Sequence, residues 1–70
     1  MTVNEIKSLV HGPEPFTLKM VSGREHRVPY PDAVSVNPEG TAIALFRENG
    51  VIETVRISQI ESYEVQRDVA

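Results

Sequence analysis

The chain has no cysteine and no tryptophan in its 70 residues. Without cysteine there is no disulfide framework and no thiolate for a structural zinc site. Aromatics are few: two Phe and two Tyr. The core is therefore expected from aliphatic side chains together with Phe16, Phe46, Tyr30 and Tyr63. No apolar run approaches the roughly 20 residues that span a bilayer. Residues 1–7 lack the basic start and continuous apolar stretch of a signal peptide. These absences predict a soluble, cytoplasmic protein with no membrane association.

Catalytic patterns are missing too. Ser22, Ser35, Ser58 and Ser62 have no base placed beside them in the pattern, and no nucleophile-elbow motif occurs. Asp32 and Glu39 lie in turn-forming segments, where acids are common for local reasons. A zinc site needs three or four converging ligands. The two histidines, His11 and His26, do not supply them, and Glu25 and His26 are adjacent, so a strand sends them to opposite faces. The expectation is no enzyme, no catalytic residue, no metal and no cofactor. Net charge is −3, and Lys7, Lys19, Arg24, Arg27, Arg47, Arg56 and Arg67 form no run. That argues against a nucleic-acid partner, because such affinity rests on a basic surface that neutralises phosphates.

What is present reads as one small domain, 1–70, close to the lower size limit for independent folding. Thr2-Val-Asn-Glu5 is a capping box opening a helix over about 3–11. Ile6, Leu9 and Val10 make its apolar stripe, and Gly12-Pro13 ends it, with Gly12 available for a left-handed cap. Alternation then predicts strands over about 15–21, 24–28, 33–37, 41–47, 51–57 and 61–67. Ser22-Gly23 and Asn49-Gly50 are hairpin turns. Pro29-Tyr30-Pro31-Asp32 is a corner that interrupts a ladder. Ser58-Gln59-Ile60 suits a 3₁₀ turn with Ile60 inward, and Tyr63 and Val65 should alternate inward after it. Asp68-Val69-Ala70 is expected to fray. A short helix followed by five or six short antiparallel strands is expected to close into a small SH3-like or Sm-like barrel, which would remove exposed edges, with a flat open sheet carrying the helix on one face as the alternative.

The succession Pro15-Phe16-Thr17-Leu18, Ser22-Gly23-Arg24, Val28-Pro29-Tyr30-Pro31-Asp32, Pro38-Glu39-Gly40-Thr41, then Ile57 with Ile60-Glu61-Ser62, resembles a family of small uncharacterised bacterial proteins. In that family a short helix precedes a PF strand start, a DGR turn, a V-x-HPE-like corner, a PDG-like turn and a closing I-x-x-I strand. The resemblance implies a compact barrel-like domain and no particular activity. Ser22 stands here where the family has Asp, and Tyr30 where it has His. A ligand or base role for that His is therefore not carried over.

Two surfaces stand out as candidates. The first is Pro29, Tyr30 and Pro31, a rigid aromatic corner, with Arg24 and Arg27 nearby as partner contacts. The second is Phe46 with Ala42 and Ala44 on one face of the most apolar strand, a candidate homodimer contact if the helix leaves it uncovered. The leading expectation is a non-catalytic protein-binding or self-associating module, with a homodimer or another protein as partner. The alternative is an RNA- or DNA-binding barrel using Arg24, Arg27, Arg56 and Tyr30.

Overall fold

The computed structural model describes residues 1–66. Arg67, expected to end the last strand, and 68–70, expected to fray, lie outside the described residues. Helix α1 spans Val3–His11. Its capping box is complete: the Thr2 hydroxyl accepts from the Glu5 N–H, and the Glu5 carboxylate accepts from the Thr2 N–H at 3.0 Å. The Thr2 N–H and the Thr2 hydroxyl, which donates to the same carboxylate oxygen at 3.1 Å, hold the Glu5 carboxyl below its ordinary range. The other end differs from expectation. Gly12 is extended, with φ −82 and ψ 163, and its N–H donates to the Leu9 carbonyl. Pro13 follows, and a proline pushes its predecessor into the β region.

The strands are β1 Phe16–Met20, β2 Glu25–Val28, β3 Val34–Val36, β4 Ala42–Phe46, β5 Ile52–Arg56 and β6 Ile60–Val65. They form two three-stranded antiparallel sheets, ordered β2-β1-β6 and β3-β4-β5. The protein is thus mainly β, as its alternation predicts, but the expected closed barrel does not form. The seams fall where the chain cannot keep a ladder. Pro29 and Pro31 lack amide donors and turn the chain through a 3₁₀ turn, Pro31–Ala33, between β2 and β3. A second 3₁₀ turn, Ile57–Gln59, separates β5 from β6.

Side chains of Phe16 and Leu18 from the first sheet meet Ile43, Leu45 and Val55 from the second. Ile6 of α1 enters the same cluster, and Ile60 is inward as expected. No described polar or charged residue is buried. Of the four aromatics, only Phe16 belongs to this core. Tyr30, Phe46 and Tyr63 are exposed. Tyr30 stands on the corner, Phe46 points opposite to the buried Leu45, and Tyr63 lies on an edge strand. Close approach of turn and helix adds one further constraint. Gly40 has φ +70, and a Cβ there would sit 3.1 Å from the Val3 side chain.

Candidate partner-binding surface

The site is built by the corner and by the far end of β4. Val28 ends β2 inside the core. Pro29 then stops the ladder, Tyr30 is held extended at φ −127, and the Ala33 N–H donates back to its carbonyl at 2.9 Å. A tyrosine flanked by prolines has little backbone freedom left to lose when it is contacted. The residue is 66% exposed.

Alternation along β4 sends Ile43 and Leu45 into the core, so Ala42, Ala44 and Phe46 take the outer face. The helix packs beside β3 and the Pro31–Ala33 turn, and Phe46 stays 49% exposed. The β4–β5 hairpin extends the patch, because register places Ile52 opposite Phe46. Ile52 and Val51 are also exposed. The turn between β4 and β5 spans Glu48–Gly50, with Asn49 at φ 65 and Gly50 at φ 76. These left-handed conformations suit Asn and Gly.

The two candidate surfaces meet. Pro29, Tyr30 and Ala33 form one wall of a cleft of about 230 Å³, with Phe46, Arg47 and Glu48 opposite. Pro31 is half-buried at the start of the 3₁₀ turn, below the corner. Ala42 and Ala44 continue the apolar row along β4, away from the cleft. The arginines do not gather there. Arg24 precedes β2, Arg27 lies within it on the outer face of the first sheet, and Arg56 ends β5 on the second.

Beneath the cleft a polar latch joins the sheets. Arg47 Nε donates to Glu53 Oε1 at 2.7 Å, and an Arg47 guanidinium N–H donates to the Arg27 carbonyl of β2. His26 Nδ1 of β2 lies 3.4 Å from the other Glu53 oxygen. The hydrogen bond from Arg47 is the main cause of a Glu53 carboxyl below its ordinary value of 4.5, with His26 and Arg24 adding weaker attraction. Arg47 is therefore already neutralised, whereas Glu48 and Asp32 are exposed. The latch was not among the residues singled out from sequence. Its signal is the alternation itself: Arg47 shares the inward parity of Ile43 and Leu45, and Glu53 that of Val55. Charges at inward positions require partners.

Among the described residues no group of three or more His, Asp or Glu side chains could hold a metal ion, and no helix is long and apolar enough to cross a membrane. Compared with protein-family models, curated proteins and solved structures, the chain matches none.

Proposed function

We propose that this chain is a non-catalytic protein-binding module of the cytoplasm, and that it grips an extended peptide in the cleft between Tyr30 and Phe46. One observation carries this reading: two exposed aromatic rings, one on a proline-stiffened corner and one on a strand, face a common cleft of about 230 Å³. Drug-sized ligands occupy clefts of about 300–1,000 Å³. The smaller volume fits one or two side chains, the scale of an anchor residue in a peptide complex.

The rim specifies the peptide. Arg47 is neutralised by Glu53, so the free charge at the cleft is the carboxylate of Glu48, with Asp32 on the adjoining turn. The occupant is an extended segment that seats a prolyl or aliphatic residue between the rings and sets a Lys or Arg beside Glu48. We read the two sheets as a small SH3-like or Sm-like barrel left open at both seams, with the corner as its recognition edge.

Selection of displayed random peptides against the domain tests this, followed by affinity measurements on the enriched sequences. The expected result is an apolar-then-basic motif whose binding falls tenfold or more in Tyr30→Ala and in Phe46→Ala, about 1.4 kcal/mol each. No enrichment, or enriched peptides indifferent to both substitutions, overturns the proposal. So does tighter binding of a single-stranded oligonucleotide that depends on Arg24, Arg27 and Arg56, which would favour the nucleic-acid reading instead.

A further inference from the structure

Because the sheets do not close, four strand edges remain: β2 and β6 on the first sheet, β3 and β5 on the second. An unpaired edge is a template for another chain, and proteins blunt such edges with charge, proline, bulges, short length or a cover. Three of the four are blunted. β2 exposes Glu25 and Arg27 and stops at Pro29. β3 has only three residues, and α1 lies against it. β6 exposes Glu61 and Glu64, and its register with β1 shifts between Lys19 and Met20. β5 is the least guarded: of its two charges, Glu53 points inward and is met by Arg47, and Arg56 stands at its last position. The strand contains no proline or lysine, its register with β4 is unbroken from Ile52 to Arg56, and Ile52, Thr54 and Val55 are β-branched.

The direction of its free main-chain groups follows from two hydrogen bonds. The Arg47 N–H donates to the Val51 carbonyl, and the Ile57 N–H donates to the Thr41 carbonyl. In an antiparallel pair, bonded and non-bonded positions alternate. Residues 51, 53, 55 and 57 therefore turn their amides and carbonyls toward β4. Ile52, Thr54 and Arg56 turn theirs to the open edge, and their side chains share the outer face with Phe46, Ala44 and Ala42.

We propose that a second copy of this chain pairs with that edge, antiparallel and two-fold symmetric about Thr54, merging two three-stranded sheets into one. The register is self-complementary. Thr54 faces the partner's Thr54, and Ile52 faces the partner's Arg56, each pair exchanging both main-chain bonds. Arg56 is thereby kept away from its own counterpart and lays its aliphatic stem along an isoleucine. On the inner face Glu53 falls opposite the partner's Val55, with its charge already met by Arg47. Facing threonines are a favourable cross-strand pair. The pairing uses the β5 main chain and leaves the Tyr30–Phe46 cleft out, so it stands or falls apart from the peptide-binding reading.

Light scattering over a wide concentration range, with circular dichroism as the check on folding, measures it. The wild type is expected at twice the 7.8 kDa of one chain, and Thr54→Lys, which sets like charges face to face, at the mass of a single chain. Register is read by oxidation, since the chain has no cysteine of its own. Facing Cα atoms at a bonded pair are about 5.5 Å apart, within disulfide range. Thr54→Cys should link to itself, and Ile52→Cys should link only when mixed with Arg56→Cys. A wild type monomeric at every concentration overturns the proposal. So does a dimer that survives Thr54→Lys, or one in which Ile52→Cys links to itself as readily as Thr54→Cys. If Thr54→Lys fails to fold, the cysteine pattern decides.

Discussion

The outer faces of the two sheets come from one chain and back onto one core, yet they differ in kind. The first sheet turns Thr17, Lys19, Glu25, Arg27, Ser62 and Glu64 outward, and Lys19 meets Glu64 at 2.6 Å across β1 and β6. The second turns out Ala42, Ala44, Phe46, Ile52 and Thr54, with Arg56 at one end. Core packing demands neither pattern, because both sheets supply an apolar inner face to the same core. A charged outer face keeps a sheet solvated and unpaired, while a row of small and apolar residues beside a lightly guarded edge invites contact. On the reading proposed above, that difference puts the contact surface on the second sheet.

The largest effects separate what the faces share from what they do not. Phe16 and Phe46 are the two phenylalanines, 1% and 49% exposed. Phe16→Ala should cost about 3–5 kcal/mol, the range for emptying a buried aromatic site. A domain of this size holds roughly 0.05–0.15 kcal/mol per residue in all, so the variant should lose about a third or more of its stability by urea titration. Phe46→Ala should change the unfolding free energy of the isolated domain, read from urea titration, by less than about 0.5 kcal/mol, as for a surface site. Equal losses at the two positions would erase the distinction between core and contact surface.

Much of this was legible in the sequence, and what was not has identifiable causes. The helix with its capping box, the six strands and the inward Ile60 follow from periodicity and local turn chemistry, which act over a few residues. Closure failed as an expectation because it depends on whether β2 bonds β3 and β5 bonds β6. Those are long-range questions that Pro29, Pro31 and the Ile57–Gln59 turn decide in three dimensions. A glycine at the helix end favours a left-handed cap, but at Gly12 the following proline imposes extended backbone instead. Tyr30 and Phe46 were each visible as candidates from proline flanking and from strand parity. That they line one cleft was not, because residues 16 apart in sequence meet only through the fold of the corner.

An intermediate effect is expected at the latch that ties the two sheets together. Glu53 accepts from Arg47 beside His26, and its carboxyl lies below 4.5. A carboxyl depressed on folding stabilises in full above its unfolded value and loses that contribution as pH falls through the folded one. Glu53→Gln should lower the urea midpoint at neutral pH by less than Phe16→Ala does. Its gap from wild type should narrow steadily below about pH 4.5. A gap independent of pH would mean that the glutamate acts through packing and that the sheets do not rely on its charge.

The smallest effect belongs to the charged face. Lys19 is raised above its ordinary 10.5, first by its hydrogen bond to Glu64 and then by the charge of that group. A cation raised on folding stabilises in full below its unfolded value and loses that contribution as pH climbs through the folded one. The pair is widely exposed, so solvent and salt screen it. Lys19→Gln should leave the neutral-pH urea midpoint nearly unchanged at high salt and lower it slightly at low salt, with the difference vanishing above pH 10.5. Oligomeric mass and peptide affinity should not respond at all. A Lys19→Gln variant that altered either would place a contact on the first sheet, and the asymmetry between the two faces would no longer mark where partners bind.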